Sequence, residues 1–368
     1  MRFVLLLAFA PAVAVASDID VWIGTVTSAD GPSRGVYHLS FDTETGKLSP
    51  ASLAAEIENP GFLAKHPTLP VLYSTAGEDI AAWRIVGDDA AKRLEPINRQ
   101  AIGDGGAAHV SVDRSGRVLL SAQYGGGSTA SFPLDADGSI GERVSLIEHN
   151  NPSNVVLSRQ RACHPHWTGV SPDNRFVLVP DLGADRVYVH RLDAQTATLA
   201  RHGSVKTPPG GGPRHFKFHP AGRRGYVVNE LAMSLSVFDW NADAGDLTLR
   251  QTIPTLSEEQ IAGERFNSGS EVCVHPSGRF VYSANRGHDS ITVFAVDEAT
   301  GELTLVEQEP IRGSWPRNFN LDPTGRWLLV AGRDSNTLAV FAIDQATGEL
   351  QYARETATVP APICVVVE

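Results

Sequence analysis

At 368 residues the chain is long enough for two domains, yet no Ser/Pro-rich linker or charge run divides it. Its 31 Lys and Arg stand against 42 Asp and Glu, and the resulting net charge of −11 disfavours an extended contact with nucleic acid or anionic lipid. Three cysteines, Cys163, Cys273 and Cys364, are too few and too scattered for a disulfide framework or a thiolate metal cage. They fit small buried apolar positions, with one bridge as the alternative in an exported chain.

The chain opens with Arg2, an apolar run from Phe3 to Ala10, and Ala14-Val15-Ala16 ahead of Ser17. Charge, hydrophobic stretch and small-residue cleavage site together read as an export signal. Residues 1–16 are expected to be removed, leaving a periplasmic or secreted protein. No later apolar run approaches the roughly 20 residues that cross a bilayer, so no membrane partner is expected.

Next comes a repeat. A short apolar strand runs into an acidic, glycine-bearing turn that ends at Leu48, Leu94, Ile140, Leu199, Leu247, Leu303 and Leu350, with gaps of 46, 46, 59, 48, 56 and 47 residues. The sharpest copies are Phe238-Asp239-Trp240 to Gly245-Asp246-Leu247 and Phe341-Ala342-Ile343-Asp344 to Gly348-Glu349-Leu350. Asp or Asn followed by Gly closes a tight hairpin, and flanking aliphatics at period two make half-buried strands. Self-similarity at this period marks a closed array of small sheets, since no unit can bury both faces without a neighbour on each side. The expected fold is therefore all-β: residues 17–368 form a single seven-bladed β-propeller domain of four-stranded antiparallel blades. Strands around Val21 to Leu48 and Ile363 to Val367 share the blade that closes the ring. A closed ring has few free sheet edges, so a monomer is expected.

Between these hairpins lies a second repeat: His219-Pro220-Ala221-Gly222-Arg223, His275-Pro276-Ser277-Gly278-Arg279 and Asp322-Pro323-Thr324-Gly325-Arg326, with Ser171-Pro172-Asp173-Asn174-Arg175 a weaker copy and His66-Pro67 a degenerate one. Pro presets one turn φ and Gly or Asn takes the left-handed position, so His66, His219 and His275 read as turn residues, not ligands.

Aligning the turns on their shared arginine exposes what is not repeated. Nine residues before Arg175, Arg223, Arg279 and Arg326 stand His166, Arg214, Ser270 and Arg317; seven residues after them stand Leu182, Glu230, Arg286 and Arg333. Antiparallel pairing about Gly222 sets Arg214 opposite Glu230, and pairing about Gly278 sets Ser270 opposite Arg286 and Glu271 opposite Asn285. If the first strand of each pair is the inner one, these side chains ring one mouth of the central channel. Arginines in such a funnel bind carboxylate or phosphate through paired hydrogen bonds, while His and Glu can move a proton. The bland alternative is a cross-strand Arg214–Glu230 ion pair with His166 a satisfied rim residue. His164-Pro165-His166 lacks a third ligand at a recognisable spacing, so no metal or other cofactor is expected. Gly125-Gly126-Gly127 and Gly210-Gly211-Gly212 lack a following Lys-Ser or helix and read as connections, not phosphate loops.

Several stretches resemble a known family: Cys163-His164-Pro165-His166, Gly211-Gly212-Pro213-Arg214-His215-Phe216, Val228-Asn229-Glu230-Leu231, Ser283-Ala284-Asn285-Arg286-Gly287-His288 and Pro316-Arg317-Asn318-Phe319. They are similar to the seven-bladed propeller lactonases, which include bacterial 6-phosphogluconolactonases and a fungal carboxy-muconate lactonizing enzyme. The resemblance implies a catalytic set of His166, Glu230, Arg214 and Arg286. Arg317, Glu271, Asn285 and Tyr124 are the expected substrate-binding residues; where relatives usually carry Asn-Tyr before a glycine, this chain has Gln123-Tyr124-Gly125. The expected substrate is a small anionic or polyhydroxylated lactone, either 6-phosphogluconolactone-like or, in an exported relative, an unphosphorylated aldonolactone. Two alternatives stand beside hydrolysis: a muconate-type lactonizing cycloisomerase, and a non-catalytic propeller that binds a ligand or protein.

Overall fold

The computed structural model describes residues 18–88 and 92–368. The export signal read at residues 1–16 lies outside the described residues. Seven antiparallel sheets follow one another along the chain. Blade I joins the two ends: Asp18–Thr25 pairs on one side with Gly35–Asp42 and on the other with Pro362–Val367, and its outer edge is split into Lys47–Leu48 and Ser52–Glu56. Blades II to VII are four-stranded and begin at Leu63–Lys65, Ala107–Val112, Gly169–Val170, Pro213–Phe218, Ser268–Val274 and Pro316–Leu321. The ring closure, the strand count and the outer hairpins at all seven branched aliphatics agree with the sequence reading.

Middle strands are buried throughout, as in Val118–Gln123 and Phe280–Arg286, because each is covered on both faces by neighbouring blades. Fourth strands such as Thr198–Lys206 and Leu350–Thr358 bury one residue near their start, Leu199 and Leu350, and are otherwise exposed or half-buried. The first strands of blades II and III, of V and VI, and of VI and VII pack against one another, and Pro362–Val367 packs against those of VII and II, which makes these the inner strands. Cys163, Cys273 and Cys364 are buried free thiols.

At one end of each first hairpin, the repeated turns stitch blade to blade. His66 Nε2 lies 3.0 Å from the Gly116 carbonyl, His219 Nε2 3.0 Å from Gly278 O, and His275 Nε2 2.8 Å from Gly325 O. Each Nδ1 accepts an N–H of its own turn, from Leu69, Ala221 and Ser277 respectively, so Nε2 is the protonated donor. The glycine is obligatory on two counts: Gly278 has φ +76°, and a Cβ there would sit 2.4 Å from the His219 ring. The turn arginines reach further, Arg175 to the Ala242 carbonyl and Arg326 to that of Thr43, both at 2.6 Å.

At the other end of the hairpins the register departs from simple alternation. Pro213 faces Asn229 and His215 faces Val228, which leaves Arg214 as an extra residue. Ser268, not Ser270, faces Arg286, and Gly269, not Glu271, faces Asn285. Arg317 is the extra residue in blade VII and Ala108 in blade III. The expected pairings of Arg214 with Glu230, Ser270 with Arg286 and Glu271 with Asn285 are therefore corrected by bulges. An unpaired residue in a bulge bends its strand and re-aims its side chain, and bulges concentrate beside functional sites.

Candidate active site

The bulged ends open onto a cavity of about 470 Å³ lined by Tyr124, Arg159, His166, Glu230, Arg286, Trp315 and Arg317. A smaller lobe of about 190 Å³ shares His166 and Arg317 with it and adds Arg214, Asn59, Thr25 and Thr75. His166 precedes the short inner strand of blade IV, with its backbone N–H on Pro180 O at 3.0 Å. Glu230 follows the second strand of blade V, where its N–H donates to the Gly212 carbonyl at 2.8 Å. The glycines that precede Arg214 are held by Asp185, whose carboxylate accepts from Gly210 N at 2.7 Å and Gly212 N at 2.8 Å. Those backbone donors are already spent on Asp185, as expected of a connection.

Glu230 is the hub. Its Oε2 lies 3.0 Å from both Arg214 Nε and Arg286 Nη2, and its Oε1 2.7 Å from Arg159 Nη2. Burial works to raise its pKa, but Arg286 and Arg214, helped by His166 and Arg159, hold it far below the usual carboxylate range. Arg286 is further fixed by the Ser268 hydroxyl at 2.5 Å and Gly269 O at 2.6 Å. Arg214 also donates to the Ser270 carbonyl. Burial and the Arg286 and Arg317 charges push its pKa well down.

Two groups are left open. His166 is buried with no partner on Nδ1, and burial together with Arg214 and His215 puts its pKa well below the ordinary imidazole value. Its imidazole is neutral at neutral pH. Its ring lies 5.2 Å from that of His215 and 5.4 Å from that of Tyr124. Arg317 makes no hydrogen bond or ion pair among the described residues. Burial and Arg286 lower its pKa to about 10, so it remains a cation facing the cavity. With four guanidiniums and one carboxylate, the cavity carries an excess of positive charge.

Of the eight residues read from the sequence, the structure gathers His166, Glu230, Arg214, Arg286, Arg317 and Tyr124 around the two lobes. It does not bring Asn285 or Glu271 there. Asn285 turns into its own blade, bonding Ser290 and Thr292 hydroxyls at 3.0 and 2.8 Å. Glu271 is buried against His215, Asn318 and its neighbour's N–H. His164 stacks on Tyr124 at 4.4 Å and bonds the Tyr124 carbonyl. Among the described residues no three His, Cys, Asp or Glu side chains are grouped to hold a metal ion.

Sequence reasoning missed Arg159 and the rim pair Trp315 and Phe266, whose rings stack 5.6 Å apart. The signal was present in the repeat spacing. Gaps of 59 and 56 residues, the two longest, contain the loop bearing Arg159 and the segment bearing helix Glu258–Gly263 and Phe266.

Residues 20–367 match the family described as lactonase, seven-bladed β-propeller. The chain belongs to this lactonase family. It is 36% identical over 348 residues to a 6-phosphogluconolactonase of Bacillus subtilis, covering 94% of this chain and 97% of that one. It is 33% identical to a 6-phosphogluconolactonase of Formosa agariphila, covering 82% and 86% of the two chains. Among solved structures, a periplasmic gluconolactonase of Pseudomonas aeruginosa superposes with a TM-score of 0.87 at 30% identity, covering 95% of this lactonase and 99% of the other chain. A putative 6-phosphogluconolactonase of Bacteroides fragilis gives 0.87 at 27% identity, covering 98% and 100%.

Proposed function

We propose that this lactonase hydrolyses a sugar-derived lactone at one mouth of the propeller channel, using acid–base chemistry of its own side chains. The observation that carries the reading is a neutral His166, its Nδ1 without a partner, facing a guanidinium cluster organised by one carboxylate. Water attacks the lactone carbonyl and its proton passes to His166. Arg214 and Arg286 stabilise the oxyanion of the tetrahedral intermediate. Collapse breaks the bond to the ring oxygen, which takes the proton back from His166 and leaves as a hydroxyl, giving the open-chain acid.

His166 is assigned as base over Glu230 on charge. Three arginines hold Glu230 as an anion of very low basicity, which suits it to orienting guanidiniums. An approaching anion or developing oxyanion offsets the arginine field that depresses His166 and so raises its basicity when it is needed. Arg317, with its donors free, receives the charged or polyhydroxylated end of the substrate. The export signal read from the sequence of residues 1–16, together with the similarity to a periplasmic gluconolactonase, supports an unphosphorylated aldonolactone outside the cytoplasm as the substrate.

The test is acid release in a pH-stat by the mature protein over D-glucono-1,5-lactone, its 6-phosphate and other aldonolactones, with His166→Ala alongside. Turnover well above spontaneous opening, lost in the variant, supports the reading. If neither protein exceeds spontaneous opening while a thermal shift reports tight binding, the chain is a binding propeller.

A further inference from the structure

Beneath Arg214 lies a buried run of hydrogen bonds that the mechanism above leaves unused. Arg214 Nη1 is 3.0 Å from His215 Nε2, His215 Nδ1 is 2.9 Å from Glu271 Oε2, and Asn318 Nδ2 donates to that same oxygen at 2.5 Å. Glu271 Oε1 accepts from Val272 N at 3.0 Å, and Asn318 Oδ1 accepts from Val365 N at 2.8 Å. Arg214, His215, Glu271 and Asn318 are all buried. The run crosses the inner strands of four successive blades, from the closing strand Pro362–Val367 through blades VII and VI to blade V. His215, Glu271 and Asn318 line neither lobe of the cavity.

The direction of every bond in this run is fixed. A guanidinium only donates, so His215 Nε2 must be the acceptor and Nδ1 must carry the proton. Burial and Arg214 keep the imidazole neutral. Glu271 meets three donors: His215 Nδ1–H, the Asn318 amide and the Val272 N–H. Burial raises its pKa, yet an environment of donors alone is that of a carboxylate. Reversing the imidazole tautomer would set Nε2–H against Arg214 Nη1–H and drive the guanidinium away.

We propose that Glu271 and His215 are positioning residues for the lactonase reaction: Glu271 fixes the tautomer of His215, and His215 fixes the orientation in which Arg214 meets the oxyanion. Asn318 holds Glu271 and ties the run to the strand that closes the ring. The proposal rests on Arg214 contacting the substrate as read above.

It is tested by steady-state acid release on D-glucono-1,5-lactone, with melting temperatures, for the mature protein and Arg214→Ala, Glu271→Gln, His215→Asn and His215→Gln. In Glu271→Gln an amide N–H faces a donor whichever way it is turned. In His215→Asn the donor to Glu271 survives but the acceptor for Arg214 is lost. Both variants should lose about 10- to 100-fold in kcat with KM held within about threefold, as for a displaced catalytic group. His215→Gln, whose amide oxygen can stand near the Nε2 position, should recover most of the kcat lost by His215→Asn. Full kcat in Glu271→Gln and His215→Asn overturns the proposal. So does a loss that merely follows the melting temperature, with His215→Gln no better than His215→Asn. If Arg214→Ala itself keeps full kcat, the assignment of Arg214 fails and the proposal falls with it, whereas loss in Arg214→Ala alone sinks only the positioning role.

Discussion

The two ends of the same hairpins use the same residue types to opposite effect. At the turn end, His66, His219 and His275 each give Nε2–H to a glycine carbonyl of the next blade and take an N–H of their own turn on Nδ1, so both ring nitrogens are satisfied. At the cavity end, His166 keeps a bare Nδ1 and Arg317 has no partner among the described residues. Repetition with full hydrogen bonding builds the ring. A non-repeated, buried group with a bare polar atom that also lines a cavity can be completed by a bound molecule, unlike His190, whose ring nitrogens are equally bare inside blade IV away from either lobe.

That contrast makes the cavity end the place where substitution should cost rate, and the turn end the place where it should cost stability. The sharpest way to break it is His166→Ala, expected to lower kcat roughly 10²- to 10⁴-fold, the range for a removed general base, with the melting temperature nearly unchanged. Stopped-flow proton release on a saturating lactone reads this directly. A melting point that falls while kcat survives would mean His166 is a structural residue like its turn-end counterparts.

Acid should act through the cavity end and the core. His109, His166 and His215 have pKa values held well below 6.5 by burial and neighbouring cations, and burial pushes His190 down to about 3. Above 6.5 these rings are neutral folded and unfolded, and contribute no pH dependence. Below it the unfolded chain takes up protons that the folded one refuses, so stability falls by roughly 1 kcal/mol per pH unit for each such ring. Urea midpoints should be flat from pH 8 to about 6.5 and decline below that; a midpoint rising as pH drops to 5.5 would contradict the neutral assignment.

Gly278→Ala sharpens the comparison from the other side. It forces a Cβ into the His219 ring at a left-handed position, with an expected loss of about 1–3 kcal/mol in denaturant unfolding and unaltered kcat/KM. Smallest of all, Arg175→Ala removes an exposed turn-end hydrogen bond to Ala242 and should cost about 1 kcal/mol or less, visible as a shift of a few degrees at most by calorimetry.

The architecture was legible because turn chemistry is local: Asp, Pro and Gly at fixed offsets announce each reversal, and seven announcements define the ring. The cavity residues were legible as exceptions to the repeat. What the residues did not announce was the bulge. One extra residue flips every side chain beyond it to the other face, which is why Glu271 sits below the cavity instead of in it. Asn285 fails for a simpler reason: it neighbours Arg286 on one strand, and adjacent strand residues point to opposite faces. Arg159 arrives on an irregular loop whose path no periodicity describes, leaving only the anomalous spacing to hint at it.

The strand that seals the ring, Pro362–Val367, supplies the Val365 N–H that Asn318 accepts. Until those last residues are synthesised, the toroid stays open at blade I and Asn318 lacks its anchor. Long-range strand pairing of this kind forms late and slowly. Closure of the ring and completion of the buried run from Val365 to Arg214 are thus one event, and a chain interrupted short of residue 362 is an open scaffold in which Asn318 is never secured.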